Sequence, residues 1–352
     1  MSLNEMRRDY LLDRWVVIAT SRKKRPTDFV KKQEPAKAGS CPFCPGNESM
    51  TPAAELLYVR GKGGGIKNAR DKDGVRRKDW LVRCFPNLFA AFSPPKEGHE
   101  KDRIKENPFL FEAVGHHEVI VESPCHDGHP GVAGLGQLNL VVDAYVDRLE
   151  ALSSKPYVKY VSIFRNHGLE AGASLSHAHS QIIATPFVPR TVNEEIGASR
   201  RFWKRNHECA LCSILERERK SPRFVWENDS FSVFAPWASV NPLEFWILPR
   251  KHQASPLEMK RKQKEDLAVA LRVCLGGLRG LLNDPPYNYG LHIAPNVESA
   301  DYYHWHVEVY PKLAIWAGFE KSTGIYINTV TPEDAAQSLK EAAEKEQKTL
   351  KL

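Results

Sequence analysis

The sequence predicts an α+β fold made of two copies of one unit, each an antiparallel sheet with a crossing helix. Three observations predict it. First, landmarks recur in the same order. Cys41-Pro42-Phe43-Cys44, an apolar strand over 118–123 running into His126, a strand over 160–164 and His177-Ala178-His179 occupy the first half. Cys209-Ala210-Leu211-Cys212, an apolar strand over 244–249 running into His252, a strand over 287–292 and His304-Trp305-His306 occupy the second. His126 and His177 are 51 positions apart, and His252 and His304 are 52 apart, so the order and the spacing repeat together. Second, each half carries one amphipathic helix between its strands. Leu135, Leu138, Val141, Val142, Tyr145, Leu149 and Leu152 recur at steps of three and four, and so do Leu267, Leu271, Leu275, Leu278 and Leu282. Third, the apolar runs before each His pair are short and lie between turn residues, as strands do.

Taken in order, residues 1–190 form the first unit and 208–330 the second. The intervening stretch from Pro186 to His207 mixes proline, charge and glycine and reads as a connector. Lys62-Gly63-Gly64-Gly65 and Ser93-Pro94-Pro95 read as surface loops. Asn283-Asp284-Pro285-Pro286 stops the second helix, because proline cannot continue one. A last helix over 331–352 starts at Thr331-Pro332-Glu333-Asp334, with Thr331 as its N-cap.

Composition narrows the classes. No run approaches the 18 or so apolar residues of a membrane-spanning helix. The charged segment over 1–9 lacks the apolar core of a secretion signal, so the expected setting is cytoplasmic. Four of the seven cysteines fall in two Cys-x-x-Cys pairs, and in that setting such pairs suggest metal rather than disulfides. A net charge of +7 suits a phosphorylated ligand or an ordinary basic surface.

Two four-ligand metal sets follow from the repeat. The first is Cys41, Cys44, His126 and His177; the second is Cys209, Cys212, His252 and His304. Both have the donor types of closed tetrahedral zinc sites. Cys84, Cys125 and Cys274 are left to packing. In Ser176-His177-Ala178-His179-Ser180-Gln181, a regular strand would put both imidazoles and the amide on one face. With His177 on metal, His179 is free for chemistry. A neutral imidazole whose Nδ1–H is held by a carbonyl can attack phosphorus through Nε2 and form a covalent nucleotidyl-histidine. Asn166-His167-Gly168 and Ala171-Gly172-Ala173-Ser174 offer small residues and backbone donors to phosphate. Arg22-Lys23-Lys24-Arg25 offers guanidiniums.

These residues resemble the histidine triad superfamily, specifically its galactose-1-phosphate uridylyltransferase branch. The resemblance spans nearly the whole chain. It includes Asp13-Arg14-Trp15-Val16-Val17-Ile18, Lys24-Arg25-Pro26, Phe85-Pro86-Asn87-Leu88-Phe89-Ala90 and Glu122-Ser123-Pro124, and it is most specific over 172–181. It implies that both units are histidine-triad-like and that His179 is the nucleophile. It also implies that Gln181 bonds the transferred phosphoryl group. Arg22, Arg25, Asn87, Asn166, Gly172 and Ser174 would take the nucleotide and phosphate positions, and Glu320 would contact sugar hydroxyls. It further implies a homodimer whose sites borrow residues from the neighbouring subunit. Histidine triad hydrolases carry a third histidine where Gln181 stands. An amide has no proton to trade near neutral pH, so transfer to a phosphate-bearing acceptor is expected over hydrolysis.

Three departures set the chain apart from the better-known bacterial uridylyltransferases: Ala178 replaces a proline, Glu308 stands where some members have a further metal-binding histidine, and Ala314 and Tyr326 replace a lysine and a glutamine at the hexose phosphate. The expected activity is ping-pong exchange of UMP between UDP-glucose and a hexose 1-phosphate such as galactose 1-phosphate. The alternative is adenylyl transfer from ADP-glucose to phosphate, which a similar plant enzyme performs. The expected partners are a nucleotide sugar and a sugar phosphate, with zinc in the first site and in the second, and with neither nucleic acid nor membrane. A zinc-stapled nucleic-acid-binding module would suit the charge and the eight tryptophans but leaves the His-x-His-x-Gln row unexplained.

Overall fold

The computed structural model describes residues 4–20, 24–30, 41–61, 63–72, 74–95, 110–295 and 299–352. Strands β1 (Glu5–Arg8) and β2 (Trp15–Ile18) form an N-terminal hairpin. The first half continues with β3 (Leu56–Arg60), β4 (Ile66–Ala69), β5 (Trp80–Pro86), β6 (His116–Val121), helix α1 (Leu135–Ser153), β7 (Tyr160–His167) and β8 (His179–Thr185). Helices α2 (Arg190–Asn206) and α3 (Ala210–Glu218) lead into β9 (Phe224–Glu227), β10 (Phe231–Phe234), β11 (Phe245–Pro249), α4 (Arg261–Leu282), β12 (Tyr287–His292) and β13 (His306–Pro311). Helix α5 (Gly318–Thr323), β14 (Tyr326–Asn328) and α6 (Pro332–Leu350) complete the chain.

The α+β repeat is present, and its two sheets are fused. Eleven strands form one sheet in the order β4-β3-β5-β6-β8-β7-β12-β13-β11-β10-β9. Outward from the antiparallel β7·β12 pair, the order β7-β8-β6-β5-β3 on one side matches β12-β13-β11-β10-β9 on the other. In each half a helix returns the chain to the central strand: α1 connects β6 to β7, and α4 connects β11 to β12.

Side-chain alternation gives the sheet two different faces. Val82, Cys84, Ile120, Ile163, Ile182, Tyr289, Leu291, Val307 and Ile247 point to the face covered by α1, α4 and α6, and together they form the main core. The opposite face holds two smaller apolar clusters. Phe43 packs with Leu57, Trp80, Phe85, Val119 and Val121; Cys209 and Leu211 pack with Phe234, Trp246 and Leu248. Each cluster seats one Cys-x-x-Cys segment on this second face.

The helix ends follow their chemistry. Asn283 takes the left-handed conformation (φ 58°) that closes α4 before the prolines. The Thr331 side chain accepts from the Asp334 N–H and caps α6. Helix α6 lies close on α4 at Gly277, where a Cβ would stand 2.9 Å from backbone atoms of Ala342 and Ala343.

The connector contains a helix that its composition did not predict. Residues Arg190–Asn206 are helical, with Val192, Glu195 and Ser199 buried along one side. Their polar character hid the pattern, because a carboxylate and a hydroxyl occupy two of the three buried positions. A small sheet β1-β2-β14 packs Val16 and Ile18 against Ala238 and Val240. Among the described residues, no helix is long and apolar enough to cross a membrane.

Candidate active site and metal centres

The predicted metal sets converge in space. In the first, Cys44 Sγ lies 3.3 Å from His126 Nδ1 and 3.5 Å from His177 Nδ1, and Cys41 Sγ lies 3.6 Å from His177 Nδ1. In the second, Cys212 Sγ is 3.4 Å from the Nδ1 atoms of both His252 and His304. Within each set all four ligand atoms lie within 4.8 Å of one another. A tetrahedral ion with zinc-like bonds of about 2.3 Å to sulfur and about 2.0 Å to nitrogen requires S···N edges of about 3.5 Å, so both sets fit a metal ion.

The outer nitrogens support the same orientation. His126 Nε2 bonds Ser176 Oγ at 2.8 Å, His177 Nε2 donates to the Ser123 carbonyl at 2.8 Å, and His252 Nε2 donates to the Ala300 carbonyl at 2.7 Å. Donation from Nε2 leaves the Nδ1 lone pair facing the cysteines, the arrangement that metal-ligating histidines use. His304 Nε2 is buried without a partner among the described residues.

His177 is not on the strand. β8 begins at His179, and His177 lies in the bend before it. Strand alternation therefore does not align the two rings. Phe43 does: carried between Cys41 and Cys44, it meets His177 edge-on at 6.1 Å and His179 at 5.3 Å between ring centroids. The metal knuckle thus supports the His179 ring through a residue that the sequence reading did not single out.

His179 has the geometry of a neutral nucleophile. Its Nδ1 donates to the His177 carbonyl at 2.7 Å, which leaves the Nε2 lone pair free. Burial lowers its pKa below the usual histidine range, and the Arg165 charge acts in the same direction. Arg165 supports the strand from below. Its guanidinium donates to the His179 carbonyl at 2.8 Å, to Glu122 at 2.5 Å and to His129 Nδ1 at 2.8 Å. Glu122 also accepts from Ser180 and Tyr145, and the Tyr145 hydroxyl meets that of Tyr289, which comes from the second half.

The other predicted residues divide into those near His179 and those elsewhere. Gln181 shares its face of β8, and Asn166 lies on the same face of β7, since Phe164 pairs with Gln181. Gly172 has φ +88°, a conformation that favours glycine, and Ser174 is exposed in the loop that follows. Asn87 lies just past β5, where its N–H donates to the His117 carbonyl at 2.8 Å. Arg25 is exposed and its N–H is bound by Asp28. Glu320 caps α5 through the Ala317 N–H at 2.9 Å and is not joined to His179 or Gln181. Arg22 lies outside the described residues.

The structure adds a third group: Glu195, His292, His306 and Glu308, whose ligand atoms also lie within 4.8 Å of one another. Glu308 stands in the same cross-sheet row as Gln181, through Phe164 and Gly290. His292 Nδ1 meets the Glu195 carboxylate at 3.0 Å, and Tyr303 donates to the same carboxylate at 2.7 Å. Burial opposes charge on His292, but Glu195 and Glu308 overcome it and push its pKa up to about 9. A cleft beside Gln181 is lined by Asn87, Phe89, Phe92, Pro94, His116 and His117.

Comparison with known proteins agrees with this architecture. The family described as Galactose-1-phosphate uridyl transferase, N-terminal domain, matches residues 77–189, and the one described as Domain of unknown function (DUF4921) matches 136–352. An ADP-glucose phosphorylase of Arabidopsis thaliana is 35% identical, over 96% of this chain and 93% of its own. A galactose-1-phosphate uridylyltransferase of Thermotoga maritima is 31% identical, over 96% and 98%. The crystal structure of the Arabidopsis thaliana ADP-glucose phosphorylase with bound ADP-glucose superposes with a TM-score of 0.78 at 30% identity, over 96% of this chain and 99% of that one. With relatives this similar along nearly its whole length, the chain belongs to the galactose-1-phosphate uridylyltransferase family.

Proposed function

We propose that this chain is a nucleotidyltransferase that moves a nucleoside monophosphate between a nucleotide sugar and a phosphate-bearing acceptor, with the nucleotide carried on His179. One observation carries the reading: His179 Nδ1 donates to the His177 carbonyl while Nε2 has no partner among the described residues. In the first step Nε2 attacks the α-phosphorus of the nucleotide sugar. The N–P bond forms, the P–O bond to the sugar phosphate breaks, and the sugar phosphate leaves with that bond's electron pair. In the second step a phosphate oxygen of the acceptor attacks the same phosphorus, and the P–N bond returns its electrons to Nε2. Gln181 and Asn166 donate to the phosphoryl oxygens, joined by the Ser174 hydroxyl; the backbone N–H groups of Ala171, Gly172 and Ala173 are already bound to the carbonyls of Gly168 and Leu169 and are not available to phosphate. Asn87, Arg25 and Arg22 are assigned to the nucleotide. Glu320 is assigned to sugar hydroxyls, in a homodimer where it serves the neighbouring subunit's site.

Two donors fit this chemistry. Uridylyl exchange between UDP-glucose and galactose 1-phosphate has the support of the family and of the 31% identical relative. Adenylyl transfer from ADP-glucose to phosphate has the support of the 35% identical relative and of Ala314 and Tyr326, which replace the hexose-phosphate contacts. The observations favour the adenylyl form. Zinc in the two Cys/His sets would be structural, because four protein ligands leave no open position. The row position of Glu308 supports a single catalytic centre, in the first half.

Incubation with ADP-glucose or UDP-glucose, each labelled in the nucleotide, tests the proposal. An acid-labile nucleotidyl-protein that disappears in His179→Ala is expected. Labelling that survives His179→Ala refutes the mechanism. Release of the label by phosphate or by galactose 1-phosphate identifies the acceptor.

A further inference from the structure

An amide side chain has two ends of opposite polarity. A phosphoryl group is stabilised by the N–H end and repelled by the oxygen, so an amide in such a site must be held one way round. Gln181 and Asn166 each have their oxygen engaged by a residue that the sequence reading did not identify.

His117 stands on β6, on the same face as His179 and Gln181, because Val119 pairs with Gln181 and Val121 with His179. Its Nδ1 accepts from the Ala91 N–H at 3.1 Å. A ring nitrogen that accepts carries no proton, so the neutral ring has its hydrogen on Nε2. That Nε2 has two side-chain contacts, Gln181 Oε1 at 2.8 Å and Asn87 Nδ2 at 3.2 Å, and with its hydrogen in place it donates to the nearer one, the Gln181 oxygen. The reverse amide orientation would set two N–H groups against each other. Gln181 Nε2 is left without a protein partner among the described residues.

Asn288 does the same for Asn166 across the β7·β12 pair, where the two stand opposite each other. Its Nδ2 donates to Asn166 Oδ1 at 2.8 Å and to the Ala171 carbonyl at 2.7 Å, so both of its hydrogens are used and its own orientation is fixed. Asn166 Nδ2 then faces the Gly172 turn, 3.8 Å from where a Cβ on Gly172 would sit.

We infer that His117 and Asn288 are positioning residues that hold the oxygens of Gln181 and Asn166, so that only N–H donors face the transferred phosphoryl group. The inference rests on the nucleotidyltransferase reading for its consequence but not for its geometry. It also gives the second half a part in the site, because Asn288 belongs to β12.

Two measurements on the metal-loaded, full-length protein test it. Nitrogen-15 NMR of the resting protein, with His117→Gln used to assign the signals, reads the tautomer. A proton on Nε2 and none on Nδ1 is expected, and the opposite tautomer overturns the inference whatever the activity proves to be. Single-turnover labelling then forms a cycle. His117→Phe should slow nucleotidyl-His179 formation by on the order of 30-fold, as expected for loss of one aligned donor. His117→Gln, which keeps an N–H at the Nε2 position, should recover all but a few-fold of that loss. In a Gln181→Ala background, His117→Phe should cost no more than about twofold, since contacting residues are non-additive. Asn288→Ala should behave likewise with Asn166→Ala. Full additivity in the Gln181→Ala background overturns the inference. If the wild type labels with neither nucleotide sugar, the functional reading fails while the tautomer still decides the positioning.

Discussion

Replacing Arg165 with methionine should destabilise the protein and disturb the nucleophile together. Arg165 and Glu122 each have only 1% of their side chain exposed, and they form a 2.5 Å ion pair directly under His179. Methionine fills similar space but leaves the Glu122 carboxylate buried without a cation. Removing one partner of such a pair costs about 3–5 kcal/mol. The His179 carbonyl and His129 Nδ1 also lose their donor. Two donors to Glu122 remain, Ser180 and Tyr145, which places the expected loss near the lower end, at about 3 kcal/mol. Urea unfolding followed by tryptophan fluorescence measures it. Glu122→Gln added to Arg165→Met removes the orphaned charge and should restore at least half of the loss. A cost below about 1 kcal/mol for Arg165→Met, or no recovery in the double variant, would refute the assignment of Arg165 as a buried counter-ion.

Metal analysis of the purified protein should find two ions per chain. Cys41→Ser with Cys44→Ser should remove one, and Cys209→Ser with Cys212→Ser the other; retention of both in either variant counts against that site. Gly277→Ala should cost about 1–3 kcal/mol, because its Cβ would meet the α6 backbone at 2.9 Å and the helix must shift; unchanged thermal stability would contradict the close α4–α6 contact. His129 is lowered from 6.5 to about 2, by burial first and then by the Arg165 charge. Its folded pKa lies below its unfolded one, so the unfolded chain binds more protons and this group's contribution falls as pH drops through 6.5 towards 2. Between pH 6.5 and pH 5 the wild type should therefore lose up to about 2 kcal/mol more stability than His129→Asn, which keeps an acceptor for Arg165; parallel urea-stability profiles would show His129 to be solvated.

The parts of the fold legible in the sequence are those with a local signal. Leucines at steps of three and four mark α1 and α4, and Thr331-Pro332 marks the start of α6. The Cys-x-x-Cys pairs and the matched histidine spacings identify both metal sets, because their residue types are rare enough to stand out. Helix α2 escaped because its buried side includes Glu195 and Ser199, which carry no apolar period. Glu195 reaches its partner His292 across 97 positions, so no window of sequence contains that group. His117 and Asn288 were invisible for a related reason. Each acts through a neighbour on another strand, and only the register of β6 against β8 and of β7 against β12 brings them to the site. The two imidazoles meet a common partner in Phe43, where strand alternation alone would have placed both on β8.

The strand order that reads alike from the centre outward has a consequence for how the molecule holds together. The seam between β7 and β12 is an ordinary antiparallel ladder, five residues on each side in register, and it joins the two repeats edge to edge. The polypeptide is in effect a dimer of its own repeats, with the join built into the backbone ladder. Cleavage in the connecting helix α2 would therefore cut the chain without parting the repeats. A repeat expressed alone would present β7 or β12 as an open strand edge, and that edge would tend to recruit a second copy.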